Sequence, residues 1–294
     1  MDRKTFLAGI TGGALLAITG CKHKRLVTVG SKNFTEQVVL GEIIAQHLEH
    51  RLHRQIGRQL NLGGTLLTQQ ALLNRDIDLY PEYTGTALMA ILKDNEETDP
   101  SAVLARVRSE YQRRMHLEWL DPLGINNTFV LVVRGEDARR HRLETLSDAA
   151  SLQDFWTLGM GYEFLTRPDG YEALMRGYDL DWVGGPKTMD LGLLYQALGQ
   201  GQVNMIAANA TDGLLSAQDL KVLKDDKGVF PPYQACIVAR EDTLAQTPGL
   251  GDALRELSGK FTNEKMQALN YQVDGKHRPV PAVAADFLRQ AALG

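Results

Sequence analysis

Apolar residues along the chain follow two alternating patterns, short β-branched runs and longer stretches with helical spacing. The helical spacing is clearest after Thr35, and the residues that fall near one face there are Val39, Ile43, Ile44 and Leu48. The longer stretches also predict helices at 66–73, 100–114 and 191–198. The short runs predict strands at 26–29, 76–80, 129–133, 203–207 and 234–238, the second of them ended by Pro81. Strands that alternate with helices are typical of an α/β fold.

The apolar runs at 129–133 and 234–238 lie at the two ends of a middle segment that repeats this alternation. We interpret the middle segment as a second lobe and expect the two runs to form a paired crossing between lobes. The sequence has no internal repeat and no long Gly/Ser linker, so short ordered strands would join the lobes. This favours a hinge over two independent domains.

The N-terminal segment has the pattern of a bacterial export signal. Arg3 and Lys4 precede an uncharged run over residues 6–18, too short to span a membrane because a spanning helix needs about 20 apolar residues. The run ends in ITGC, which resembles a lipobox whose cysteine, Cys21, receives a diacylglycerol. We therefore expect residues 1–20 to be a lipoprotein signal peptide and the mature chain to be exported and lipid-anchored to the bacterial membrane.

Charge and composition exclude several classes of partner. Lys and Arg total 32 against 36 Asp and Glu, a net charge of -4, so the chain lacks the basic excess that binds nucleic acid. His47, His50 and His53 recur every third residue, but helical steps of about 300° turn the third away from the first, which predicts a solvated face and no metal site. No phosphate loop or catalytic triad string is present, so no cofactor is expected.

The sequence contains two cysteines, Cys21 and Cys236. Lipidation of Cys21 would leave Cys236 unpaired, so we expect no intrachain disulfide. Cys236 lies in an apolar run, which favours a small buried side chain on a strand. The alternative is a nucleophile at Cys236, which would make the protein an enzyme.

Motifs with a family resemblance extend over nearly all of the mature chain. They are VTVGSKNFTEQ, LNLGGT, ALLNRDIDLYPEYTGTAL, PLGINNTF, EFLTRPDGY, MDLGLLYQALGQGQ, ATDG, VLKDDKGVFPPYQA and LNYQVD. These strings resemble the substrate-binding proteins of osmoprotectant ABC importers, which capture glycine betaine, choline and carnitine. The resemblance implies a bilobal periplasmic-binding-protein fold of type II with two crossover strands, one lobe formed by 26–128 plus 231–294 and the other by 129–230.

The resemblance also implies a box of aromatic rings for the trimethylammonium head, which has no N–H and is best stabilised by π-faces. The box positions fall on Tyr83, Phe129, Asn209 and Tyr233. Two of them depart from the family, which has tyrosine at both: Phe129 keeps a ring and loses a hydroxyl, whereas Asn209 removes a wall. We therefore expect a three-sided box.

The family's carboxylate-binding positions match Lys32, Thr86 and Arg167, all retained here. An arginine fork and a lysine point charge form strong charge-assisted bonds to a carboxylate. Choline would leave both cations unpaired, so we expect a zwitterion with a carboxylate.

These features predict a monomeric, lipid-anchored binding protein that captures a quaternary-ammonium zwitterion such as glycine betaine and delivers it to an ABC permease with its ATPase. One alternative is the same fold with an exchanged ligand, because the box is altered at Asn209. Others are an enzyme that uses Cys236 and a sensor that docks a membrane protein without transport.

Overall fold

The computed structural model describes residues 26–94, 99–182 and 185–293 of the protein. Within these ranges the chain forms ten strands. They are β1 Thr28–Gly30, β2 Gly57–Gln59, β3 Leu79–Tyr83, β4 Leu117–Trp119, β5 Phe129–Arg134, β6 Leu158–Met160, β7 Lys187–Thr188, β8 Met205–Asn209, β9 Leu220–Leu223 and β10 Ala235–Arg240.

Thirteen α-helices connect and cover the strands over the same ranges. They are α1 Thr35–Leu52, α2 Thr65–Leu73, α3 Thr84–Thr86, α4 Pro100–Met115, α5 Gly135–His141, α6 Leu146–Ala150, α7 Tyr162–Thr166, α8 Tyr171–Tyr178, α9 Leu194–Gly199, α10 Glu241–Gln246, α11 Leu250–Arg255, α12 Asn263–Asp274 and α13 Val280–Gln290. A π-helical segment, Ala87–Leu92, continues α3, and the 3₁₀ turn Leu191–Leu193 leads into α9.

The strands form two mixed sheets of five strands each among the described residues. The first has the order β2-β1-β3-β10-β4, in which β10 runs antiparallel to both neighbours. The second has the order β7-β6-β8-β5-β9, in which β5 runs antiparallel to both neighbours. We call the parts built on these sheets the first and second lobes. The α/β class and the two-lobed architecture predicted from the sequence are confirmed.

Apolar side chains cover both faces of each sheet. On β10, Ile237 points into a cluster shared with α1, α11 and α13, whereas Val238 points into a cluster shared with α4. On β5, Leu131 and Val132 likewise enter separate clusters. A strand covered on both faces is apolar at consecutive positions, which explains the two uninterrupted runs in the sequence.

The expectation that these two runs pair with each other is wrong. β5 lies in the second sheet and β10 in the first, because each run forms an interior strand of its own sheet. The chain segments that lead between the lobes meet just beside the runs, where Asn126 and Gln234 form an antiparallel bridge. The backbone N–H of Asn127 donates to the carbonyl of Tyr233 at 3.0 Å, which extends this contact.

The predicted end of a strand at Pro81 is also wrong, because β3 runs through this proline. Pro81 stands opposite Ile237 in the antiparallel ladder, and the carbonyl of Ile237 accepts its bond from Leu120 on the other side. Pro81 therefore occupies a non-hydrogen-bonded pair. The backbone nitrogen of Pro81 faces away from β10, towards β1. Because β1 pairs with β3 only at Leu79, the N–H that proline lacks would have no partner in the sheet, and no ladder bond is lost.

The sequence predicts that His47, His50 and His53 lie on a solvated face of α1, and one of the three does not. His50 and His53 are exposed, but His47 is fully buried and its ring nitrogens contact the carbonyl oxygens of Ala253 and Leu293. Helix α1 packs closely against α11 and α13, which explains why this face of the helix is enclosed.

The predicted signal peptide and Cys21 lie outside the described residues. Within 26–94, 99–182 and 185–293, no helix combines the length and the apolar character that a membrane crossing requires.

Candidate ligand site

A cavity of about 230 Å³ lies between the two lobes, and all seven ligand-binding residues predicted from the sequence line it. The first lobe contributes Lys32, Tyr83, Thr86 and Tyr233, and the second contributes Phe129, Arg167 and Asn209. Three of these side chains lie where strands end: Lys32 follows β1, Tyr83 closes β3 and Asn209 closes β8. Side chains at the ends of neighbouring strands are held by the sheet on one side and free to face a cleft on the other.

Lys32 is buried and already ion-paired within the protein. Its Nζ lies 2.6 Å from Oε1 of Glu82 and donates to the hydroxyl of Thr65 at 3.0 Å. The same Nζ lies 5.0 Å from the centre of the Tyr83 ring. Glu82 is itself fully enclosed, so this is a charge pair inside the first lobe rather than a surface contact.

Arg167 is paired in the same way with Asp169. Both Nε and Nη2 donate to the Asp169 carboxylate, whereas Nη1 donates to the hydroxyl of Thr86 at 3.1 Å. Burial alone would lower the pKa of Arg167, but the bonds to Asp169 outweigh it and raise the pKa above its ordinary value. The guanidinium lies 5.0 Å from the Phe129 ring and 5.6 Å from the Tyr233 ring.

These two ion pairs correct one step of the sequence argument. We expected Lys32 and Arg167 to lack a partner without a ligand carboxylate, but each has a carboxylate of the protein beside it. Unpaired charge on Lys32 and Arg167 therefore gives no preference for a zwitterion over choline. Donors still remain, since the described contacts use two of the three N–H groups of Lys32 and three of the five of Arg167.

With the two cations neutralised, the remaining charged groups that line the cavity among the described residues are the carboxylates of Glu163 and Asp190. The site thus has an excess of negative charge. This electrostatic balance suits a cationic head group, independently of how a carboxylate on the ligand is held.

Aromatic rings form most of the apolar lining. The Phe129 ring meets Phe164 edge to face at 4.9 Å and Tyr233 at 5.6 Å, while Phe34 stacks on Tyr83 at 6.3 Å. Phe34, Tyr162 and Phe164 line the cavity but were not selected from the sequence. Phe34 and Phe164 lie inside the motifs GSKNFTEQ and EFLTRPDGY, so the signal was present in strings already identified.

Asn209 stands directly opposite Phe129 in the β5–β8 register, so both side chains leave the sheet on the cavity side. Its side-chain amide donates to Asp212 at 3.4 Å, and its backbone N–H donates to the same carboxylate at 3.2 Å. The asparagine therefore braces the turn after β8 and contributes no ring to the lining.

Glu36 is a buried carboxylate that sequence reasoning missed. It accepts hydrogen bonds from the Tyr83 hydroxyl at 2.6 Å, from the Asn127 amide at 3.0 Å and from the Thr211 hydroxyl. Burial raises the pKa of Glu36 above its ordinary value, although these bonds oppose the shift. Glu36 fixes the Tyr83 ring and links the first lobe to Thr211 of the second.

Three further contacts join the lobes around the cavity. The Glu163 carboxylate accepts from the backbone N–H of Thr65, Arg167 reaches Thr86, and the Tyr233 hydroxyl donates to Asp169. A closed arrangement of the lobes is thus held by residues that also line or border the cavity.

Cys236 lies away from the cavity, fully buried on β10 among apolar side chains of the first lobe. Burial raises the pKa of its thiol to about 12, so the thiolate needed for nucleophilic attack is not available near neutral pH. The interpretation as a small buried side chain is favoured, and the structure gives no support to a nucleophile at Cys236.

A cavity between two α/β lobes, lined from both sides by aromatic rings and paired cations, defines a bilobal binding protein for small molecules. The chain belongs to the family of substrate binding domains of ABC-type glycine betaine transport systems, whose family model matches residues 25–290. It is an extracytoplasmic binding protein of an ABC importer and binds quaternary ammonium compounds for import. Its partner is an ABC permease, and its family is not enzymatic.

Relatives of known function are similar along almost the whole chain. A carnitine transport binding protein of Listeria monocytogenes, OpuCC, is 35% identical over 273 residues, which cover 92% of this chain and 88% of the relative. The Helicobacter pylori protein EgtU, an ergothioneine transport permease and binding protein, is 36% identical over 95% of this chain and 50% of its own length. The crystal structure of a glycine betaine/carnitine/choline ABC transporter has a TM-score of 0.76 and 34% identity, covering 91% of this chain and 99% of its own.

Proposed function

We propose that the ligand is a quaternary-ammonium zwitterion such as glycine betaine, bound in the cavity between the lobes. Tyr83, Phe129 and Tyr233 would surround the cationic head, and each desolvated π-face would contribute ~0.5–2 kcal/mol. The free donors of Lys32 and Arg167, with the Thr86 hydroxyl, would hold the carboxylate.

The observation that carries this proposal is the convergence of aromatic rings and paired cations from both lobes on one cavity. An unpaired cation would repel an ammonium head, but here each cation is neutralised by its own carboxylate. The rings can therefore be approached by a cationic ligand without a net positive field around them.

An exchanged ligand is the second candidate, and Asn209 is the observation that favours it. The wall beside Phe129 carries an amide instead of a ring, which leaves room for a ligand larger than glycine betaine. Two similar proteins are named for carnitine and for ergothioneine, so related sites accept different ligands.

The lobe boundaries belong to the same proposal. We take 26–128 plus 231–294 as one lobe and 129–230 as the other, which agrees with the sheet to which each strand belongs. Ligand bound to rings and donors of both lobes would stabilise the closed form, which the permease would then recognise. We expect the protein to act as a monomer.

Lipid anchoring through Cys21 is proposed from the sequence of the N-terminal segment. After expression in a bacterial host, the mature protein should begin at Cys21 and run with the membrane fraction, because two acyl chains anchor a protein firmly and one does so only marginally. Replacing Cys21 with Ala should release it from the membrane. An intact mass that retains residues 1–20 would contradict the anchor.

Calorimetric titration with glycine betaine, carnitine, choline and ergothioneine tests the ligand assignment. The proposal predicts one-to-one binding of glycine betaine or carnitine. Selective binding of choline, or of ergothioneine without glycine betaine, would favour the exchanged ligand.

A further inference from the structure

A second cavity, of about 560 Å³, adjoins the ligand cavity. The two cavities share five lining residues, which are Asn33, Phe34, Asp190, Leu191 and Asn209. We call the second cavity the annex. A ligand seated in the first cavity is therefore separated from the annex only by this shared wall.

The annex is lined by carboxylates. Glu36, Asp190, Asp212 and Asp274 line it, and no Lys or Arg is among its described lining residues. Burial raises the pKa of Asp212 to about 6 and also raises the pKa of Asp274. His277 is the one basic side chain among the described lining residues, and its charge opposes the rise in the pKa of Asp274, so four carboxylates face a single histidine.

The annex also contains a hydrogen-bond acceptor, the side-chain oxygen of Asn270, that receives no hydrogen bond from the described residues. Asn270 lines the annex and is 2% exposed, and its amide nitrogen donates to the carbonyl of Thr211 at 2.9 Å. Its side-chain oxygen has no hydrogen-bond partner among the described residues. A buried acceptor left unpaired is unfavourable, so an incoming N–H donor would be favoured there.

Asn209 controls the wall between the two spaces. Its side chain is short and its amide is turned towards Asp212 of the annex, at 3.4 Å. A tyrosine at this position would place a ring beside Phe129, because the two positions face each other across β5 and β8. The asparagine thus leaves this wall of the ligand cavity without a ring and places there a polar side chain that both cavities share.

We infer that the annex is a second subsite for the same ligand, which takes an arm that ends in a protonated amine or another N–H donor. This inference rests on the proposed function and names the ligand class more closely: a quaternary-ammonium amino acid whose side chain carries a nitrogen donor. The head occupies the ring-lined cavity, and the arm passes Asn209 to reach the carboxylates and the Asn270 oxygen.

Two synthetic amino acids with arms of equal length test the inference. Nα-trimethylornithine has an arm that ends in an ammonium group, and Nα-trimethylnorleucine has the same arm ending in a methyl group. Calorimetry should give the ornithine derivative an affinity about tenfold or more above that of the norleucine derivative, since the ammonium group can form charge-assisted hydrogen bonds and the methyl group can form none. Equal affinities, or preference for the norleucine derivative, would overturn the inference.

Three variants, one of them a control, show whether the preference arises in the annex. Asp274→Asn should reduce the ornithine-to-norleucine ratio by about fivefold or more, whereas Asp252→Asn, at an exposed aspartate on α11, should leave it unchanged. Asn209→Tyr should abolish the ratio by placing a ring in the shared wall. Both compounds are measured on the same variant, so a misfolded fraction affects both affinities equally and leaves their ratio unchanged.

Glycine betaine has no arm, so its binding distinguishes a failure of the annex inference from a failure of the proposed function. If glycine betaine binds and the ornithine and norleucine derivatives bind with equal affinity, the annex inference fails and the proposed function stands. If neither glycine betaine nor either armed compound binds, the proposed function fails with it.

Discussion

The carboxylate of Glu163 accepts a hydrogen bond from the backbone N–H of Thr65, and this bond ties helix α7 of the second lobe to the start of helix α2 in the first. The first N–H groups of a helix have no partner within the helix, and the helix dipole favours an anion there. The hydroxyl of Thr65 in turn accepts from Lys32, so the interlobe contact connects directly to a residue of the ligand cavity.

This relationship predicts that Glu163 strengthens ligand binding by stabilising the closed form. Glu163→Ala should weaken the affinity for the cognate quaternary amine about three- to tenfold, mainly through faster dissociation, because the net value of such a bond is roughly 1 kcal/mol. Glu163→Gln, which keeps an acceptor oxygen, should lose less. Stopped-flow displacement measures the rates, and Glu172→Ala, at an exposed glutamate on α8, is the control. Unchanged dissociation in Glu163→Ala would mean that this contact does not contribute to closure.

Arg167 is predicted to act on the ligand's carboxylate. Removing the guanidinium alone would leave Asp169 buried without its partner, so the informative variant is Arg167→Met combined with Asp169→Asn. Glycine betaine and carnitine should lose about tenfold more affinity than choline, because only the carboxylates use the free guanidinium donors. Equal losses for all three compounds would assign Arg167 a structural role.

Asn209→Tyr is predicted to rebuild the missing wall for a small ligand. The new ring would lie beside Phe129 and should tighten glycine betaine by about 0.5–2 kcal/mol, or roughly two- to thirtyfold, through an added π-face. Calorimetry on both proteins measures the difference. Weaker binding of glycine betaine in the variant would show that the pocket has been rebuilt for a different ligand.

Asp212 predicts a pH dependence of stability in the ligand-free protein. Burial raises the pKa of this carboxyl from 3.8 to about 6, so between these values the folded state binds more protons than the unfolded chain. This group therefore makes the protein more stable as the pH falls from about 7 towards 4. Thermal unfolding should show a larger gain between pH 7 and pH 5 for the wild type than for Asp212→Asn. An identical gain in both proteins would contradict the shift.

Much of the fold could be predicted from periodicity alone. Helix α1 starts at Thr35 as expected, and β5 begins at the predicted Phe129, because these segments are long or buried enough for their apolar pattern to dominate. The strand expected at 203–207 lies two residues later, at Met205–Asn209. Asn204 explains the shift, since its side chain bonds to the backbone on both sides of Trp156 and keeps the start of the run out of the ladder.

The candidate site could be selected from motifs, but its electrostatics could not. The seven selected side chains line one cavity, whereas the pairing of Lys32 with Glu82 and of Arg167 with Asp169 depends on side-chain positions that only the fold determines. Glu36 went unnoticed for the same reason, because its partner Thr211 is 175 positions away in the sequence.

The central claim is that the ring-lined cavity recognises a quaternary cation, and one pair of compounds tests it most directly. Glycine betaine and 3,3-dimethylbutanoate have the same shape and carboxylate, but carbon replaces the charged nitrogen in the second. The account predicts that calorimetry gives glycine betaine an affinity about tenfold or more above that of its neutral-headed analogue, and that Tyr233→Ala narrows the gap. Equal binding of the two compounds by the wild-type protein would contradict it.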